Sequence, residues 1–166
     1  MKSYCMDTSG LSNPLGMMPQ DIHRSLWKAI SEMVVAGKFA VTAEIYDELT
    51  HLDGDIGDCI PANKAEMQLE VGDGAWDSAT YLGHAARMQI DHQAVISENN
   101  GNRKGTVGLK DISIIALGST LRLPVVSMES TLPPQARWKR IPNICAIEGV
   151  EHVAFNDFLR RERIVL

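Results

Sequence analysis

Four acids punctuate the chain at places where a carboxylate has chemistry open to it. Asp7 ends the short apolar run YCM, and Glu48 lies in AEIYDELTHL, just behind the β-rich run FAVT. Asp111 opens LKDISIIAL, and Glu129 ends PVVSME. Strands disfavour Asp, so a carboxylate closing the first apolar run asks for a reason. One reason is local: Asp7, Thr8 and Ser9 can satisfy the backbone donors of a helix that follows. Acids at helix N-termini are also common because the helix dipole favours them. Four acids from four separate segments invite another account. Converging carboxylates repel one another and are tolerated when a divalent cation sits between them. A donor set made only of carboxylates favours Mg2+ or Mn2+ over Zn2+. Glu44, four residues before Glu48 on the same helix face, stands in reserve.

The acids can meet only if the intervening elements bring them to one rim. Residues 2–6 read as a strand. QDIHRSLWKAISEMVVAGK (20–38) reads as a helix, with Ile22, Leu26, Ile30, Met33 and Val34 at helical spacing and Gly37 as its stop. FAVT (39–42) is a short strand, and Thr42 caps a helix over AEIYDELTHL. Residues 53–74 are broken into short pieces by Gly54, Gly57 and Pro61. AWDSATYLGHAARMQI (75–90) is a helix, and QAVIS a candidate strand. ENNGNRKGTVG (98–108) is a polar, Gly-rich loop, and residues 109–123 are helical by length. PVVSMES is a buried strand, TLPPQARWKRIP a loop, and PNICAIEG a short helix with Pro at its start and Gly at its end. EHVAF is the last strand, and NDFLRRERIVL a last helix capped by Asn156. The alternation predicts an α/β three-layer sandwich with a central parallel β-sheet flanked by helices, one domain over residues 1–166. In such sheets ligands gather beyond the carboxyl ends of the strands, which is where Asp7 and Glu129 fall.

Composition narrows the classes. The chain has 166 residues, 45% hydrophobic and 22% charged, which describes a globular protein with a core. Its apolar runs are far shorter than a membrane span and no signal-peptide h-region is visible, so a cytoplasmic protein is expected. Cys5, Cys59 and Cys145 are widely spaced, against both a zinc ribbon and a disulfide framework. Net charge is −5, but it is uneven: residues 1–100 hold 6 Lys and Arg against 15 Asp and Glu, and residues 101–166 hold 10 against 6. That asymmetry permits a basic face for nucleic acid, or is simply solvated surface. HLDGDIGDC has the look of a calcium loop, but Lys64 stands where the bidentate Glu belongs; an acidic, solvated turn is the better reading. There is no P-loop and no G-x-S-x-G, and the five histidines show no ligand spacing.

The segments MDTSGL, EIYDEL, KDISIIALGSTLRLPVVSMES and IPNICAIEGVEHVAFNDFLRR resemble the PIN-domain family, of the VapC-like and related bacterial kind. The resemblance spans nearly the whole chain and is weakest over residues 53–100. It implies a metal-dependent ribonuclease fold, and an endoribonuclease that hydrolyses RNA phosphodiester bonds with one or two Mg2+ or Mn2+ ions. By that likeness Asp7 (the D-[TS] acid), Glu48 (the acid before Leu49) and Asp111 hold the metal. Glu129 falls at the family's fourth acid, usually Asp, as an outer or second-metal ligand. Lys110 departs from the family, which commonly has a small residue there. Thr8 and Ser9 would orient a ligand or the attacking water. Arg103, Lys104, Arg137, Lys139 and Arg140 would grip the RNA backbone, with Trp138 either stacking on a base or anchoring its loop. The resemblance further implies the toxin of a toxin–antitoxin pair, a cognate antitoxin and a homodimer. Two other readings stay open: a non-catalytic PIN-like module binding RNA or protein, and a nucleotide-handling phosphatase.

Overall fold

Short runs of β-branched and small apolar residues build a sheet in which no strand exceeds three residues. The computed structural model describes residues 1–165. Its strands are β1 (Tyr4–Met6), β2 (Phe39–Ala40), β3 (Val125–Ser127) and β4 (His152–Ala154). They form one sheet in the order β2-β1-β3-β4, every pair parallel. Cys5 lies opposite Ala40 on one side and Val125 on the other, and Val126 lies opposite Val153. The first three strands are buried throughout, as parallel strands covered on both faces must be. The helices that flank the sheet complete a three-layer α/β sandwich.

Those helices are α1 (Ser9–Met17), α2 (Arg24–Val35), α3 (Ala43–Leu49), α4 (Gly54–Ala62), α5 (Lys64–Met67), α6 (Ser78–Asp91), α7 (Leu109–Leu121), α8 (Ile141–Glu148) and α9 (Phe155–Arg161). Helix α7 is buried continuously from Ile112 to Gly118, the mark of a helix enclosed by its neighbours. It packs on β1 and β3 and against α3, α6 and α8. Helix α9 closes the sheet with aromatic contacts: the Phe158 ring meets Tyr4 edge-on at 5.1 Å and Phe39 at 5.9 Å. Chain direction from β1 turns to β2 on one side, while β3 and β4 continue on the other. The switch lies between β1 and β3, and the crevice beyond their carboxyl ends is where such sheets hold ligands.

Local chemistry corrects several boundaries. The expected helix over 20–38 begins only at Arg24, and a separate helix, α1, precedes it. Ile22 sits in the turn after Pro19 and is 71% exposed, outside the apolar stripe it was assigned to. Residues 53–74 do fall into short pieces, α4, α5 and turns, with Gly54 at φ +75° opening α4, but Gly57 and Pro61 lie inside α4 and break nothing. Instead HLDGDIGDC runs into α4, and Gly57 is required there because a Cβ would lie 2.0 Å from the Leu52 carbonyl oxygen. QAVIS is a turn, not a strand: the Asn100 side-chain amide donates to the carbonyls of Ala94 and Ile96, bonds that hold the segment curled. Asn156 is inside α9, whose cap position is Ala154, because buried Phe155 already belongs to the helix. Helix α9 ends at Arg161, and Leu166, included in that expected helix, lies outside the described residues. Among the described residues, no helix is long and apolar enough to cross a membrane.

Candidate acidic site

Asp7 follows β1 directly, and its N–H still donates to the Val126 carbonyl at 3.0 Å, so the sheet itself fixes where this carboxylate stands. The Ser9 backbone N–H (3.0 Å) and hydroxyl (2.5 Å) both donate to Asp7 Oδ2. The same Ser9 Oγ accepts from the Met128 N–H at 3.1 Å, stitching the end of β1 to the end of β3. Gly10 lets α1 start this close: a Cβ there would lie 2.7 Å from Met6 Sδ and 3.1 Å from the Val126 carbonyl oxygen. Glu129 stands two residues beyond β3, and its Oε2 accepts from the Ile141 N–H at 2.8 Å, at the first turn of α8. Asp111, in the first turn of α7, accepts from the Gly108 N–H at 2.7 Å through Oδ2. Asp111 and Glu129 therefore do double as helix caps, and among the described residues each spends one carboxylate oxygen doing so.

Charge ties these acids together. Asp7 is only 4% exposed, and burial above all pushes its carboxyl up, with Glu48 adding to the push against the pull of the Ser9 bonds. Burial likewise raises Asp111 to about 7, and the charges of Asp7 and Glu129 raise it further. Glu129 rises through burial and through Asp7, with the Arg140 guanidinium opposing. Hydrogen bonds and one ion pair bring the four together: Ser9 joins Asp7 to Met128, next to Glu129, Thr8 joins the residue after Asp7 to Glu48, and Lys110, next to Asp111, pairs with Glu48. Glu44 faces elsewhere: it is exposed and acts on Tyr81. Glu48 is thus the acid of α3 that belongs to the rim.

Glu48 is also the best-occupied of the four. Thr8 Oγ1 donates to its Oε2, and the Lys110 ammonium pairs with its Oε1. Glu48 and the Asp7 and Asp111 carboxylates together hold the Lys110 pKa up. The pairing depends on how α3 meets α7. Thr42 caps α3 by accepting from the Ile45 N–H, and its hydroxyl lies 3.1 Å from Ser113 Oγ, which in turn donates to the Lys110 carbonyl at 2.7 Å. Thr42 and Ser113 are buried polar residues that sequence reasoning missed as a pair, since nothing local connects positions 71 residues apart. Among the described residues, no three His, Cys, Asp or Glu side chains form a group drawn up to hold a metal ion directly.

The basic loop arranges its residues unevenly. Arg103 and Arg137 lie over the Trp138 ring, 4.7 and 4.9 Å from its centroid, so this indole is committed to two guanidiniums. Lys139 Nζ donates to the carbonyls of Pro134 (2.8 Å) and Ala136 (3.0 Å), and its own carbonyl accepts from Val107 N–H and Thr106 Oγ1. Lys139 is thus the fastener between the loop over 131–140 and the loop over 98–108. Arg140 donates to Ser130 Oγ at 3.0 Å, beside Glu129. Buried Asn143 shapes the same loop, accepting from the N–H groups of Leu132 and Arg140 and donating to the Leu132 carbonyl. The exposed cations of this face are Arg103, Lys104 and Arg137. A cavity of about 750 Å³ between α2 and α4, lined by Arg24, Trp27 and Cys59 among others, contains none of the four acids.

Residues 4–166 match the model of the family described as Domain of unknown function (DUF4411), and the chain belongs to that family. No curated protein matches it.

Proposed function

We propose that this member of the DUF4411 family is an endoribonuclease of the PIN-like kind, dependent on Mg2+ or Mn2+ and hydrolysing RNA phosphodiester bonds at the rim of Asp7, Glu48, Asp111 and Glu129. The observation that carries the reading is the joining of four acids from four segments at the switch point of a parallel sheet: Ser9 ties buried Asp7 to the end of β3 beside half-buried Glu129, and Thr8 and Lys110 tie Glu48 to the neighbours of Asp7 and half-buried Asp111. Folding such acids together is unfavourable unless something positive joins them. The donor set fits a hard cation, and Mg2+ commonly keeps several waters and takes only one or two carboxylates. A hydrated ion of that kind does not need three carboxylates in direct ligating array. Asp7, Glu48 and Asp111 would hold it, with Glu129 outside them. Bound there, the ion would supply an activated water and offset charge on the phosphate.

The chain's own residues do the rest. Ser9 fixes the Asp7 rotamer, and Thr8 fixes Glu48. Asp111, anchored through its Oδ2 by the Gly108 N–H, presents its other oxygen to the ion. Arg103, Lys104 and Arg137 offer the strand's phosphates a cationic edge. The biological setting that goes with this reading is a cytoplasmic toxin with a cognate antitoxin, acting as a homodimer.

A second reading is a non-catalytic PIN-like module for RNA or protein. It is favoured by the use of Asp111 and Glu129 as caps and by the Lys110–Glu48 pair. Incubation with a mixed RNA pool separates the two. The first expects cleavage that needs Mg2+ or Mn2+ and falls at least about a hundredfold in Asp7→Asn. RNA retained but uncut by the parent protein, with either metal, supports the module instead.

A further inference from the structure

Lys110 is placed where the acidic rim most needs a positive charge. Its ammonium pairs with Glu48 across the α3–α7 junction and is within the influence of Asp7 and Asp111. Its side chain is 46% exposed, so it can leave without disturbing the core. Glu98 is tied to the residue next to Lys110: its carboxylate accepts from the Leu109 N–H at 3.1 Å, at the start of α7, and feels the Lys110 charge. Thr8 holds the remaining Glu48 oxygen, so Glu48 stays in place when Lys110 departs.

We propose that Lys110 is the resident cation of this site: it neutralises Glu48 in the metal-free protein, and a divalent ion takes the rim by displacing it toward Glu98. The proposal rests on the metal reading above and adds to it a competitor encoded in the chain. Two cations cannot share Glu48 and its neighbours without repelling each other. Lys110 therefore sets a threshold concentration of metal below which the rim stays closed by its own lysine. Lys110 is a positioning residue here, acting through Glu48. Breaking one ion pair requires no rearrangement of the fold. Thr42 and Ser113 keep α3 and α7 in register in either state.

The test is Mn2+ binding to the full chain, followed by the electron paramagnetic resonance signal of free Mn2+, which needs no RNA and no turnover. Lys110→Met removes the charge and keeps the stem, and Mn2+ should then bind roughly tenfold more tightly, an ordinary coupling between adjacent sites. Lys110→Arg keeps the competitor and should bind within about threefold of the parent. Glu98→Gln removes the place to which Lys110 moves and should weaken Mn2+ binding by about threefold, with the α7 cap preserved by the amide oxygen. Parent-like or weaker binding in Lys110→Met, alongside measurable binding by the parent, overturns this proposal and leaves the metal site standing. Absence of Mn2+ binding in the parent and in Lys110→Met, both folded by circular dichroism, overturns both.

Discussion

Asp111 is pulled two ways. As a cap on α7 it is better charged, but burial and the neighbouring Asp7 and Glu129 push its carboxyl up to about 7. A folded-state carboxyl above its ordinary range binds its proton more tightly in the native chain than in the unfolded one. Its contribution to stability is full below the ordinary carboxylate range and is lost as pH rises through about 7. Asp7 and Glu129, also raised, act in the same direction. Thermal melts should therefore show a lower Tm at pH 8 than at pH 5.5. Asp111→Asn should flatten that slope and stabilise the protein at pH 8 by about 1–2 kcal/mol, a shift of a few degrees. A Tm that is flat or rising over this range counts against the shared rim. Millimolar Mg2+ should raise Tm at pH 8 and much less at pH 5.5, because protons compete for the same oxygens.

At the scale of elements, the sequence disclosed most where hydrophobic pattern and local caps agree. Helix α7, the Thr42 cap, the buried strand at 125–127 and the Pro-to-Gly limits of α8 were all legible. Legibility failed where a side chain 4–6 residues away outweighs propensity, as Asn100 does over QAVIS. It failed again where glycines serve packing and not turns, as Gly57 does in α4. The acids and the nearby Lys110 charge were visible by type and position, but the choice of Glu48 as the Lys110 partner and the Thr42–Ser113 contact were not, since these join segments far apart in the chain. Gly10 gives a test at this scale. Gly10→Ala forces its methyl against Met6 and the Val126 carbonyl and should cost about 1–3 kcal/mol by urea unfolding. Ordinary helix propensity would predict a gain of up to about 1 kcal/mol instead. In the basic loop, Lys139→Ala should loosen the joint between two loops and lower stability, where a free phosphate-binding lysine would leave it unchanged.

For the whole molecule, the surplus of Lys and Arg in residues 101–166 matters only where it is exposed. Arg103, Lys104 and Arg137 meet that condition, so replacing all three by Ala should weaken RNA binding and flatten its salt dependence by about two to three log units per log unit of salt. Fluorescence anisotropy with a short labelled RNA from 50 to 300 mM salt reads this directly. An unchanged slope would make the charge asymmetry mere solvated surface and leave the acids without the substrate proposed for them.

The parallel order of the sheet has one more effect, in time. Central strand β1 is made first, yet Cys5 finds its partner Val125 only after most of the chain exists, and Asp7 meets Glu129 no sooner. At 5–20 residues per second, roughly 6–25 s separate the synthesis of those two acids. Long-range parallel pairing is also slow to form. A ribosome making this protein therefore carries, until nearly the last strand emerges, a nascent chain whose four carboxylates are still scattered, and the acidic rim assembles only once β3 has joined β1.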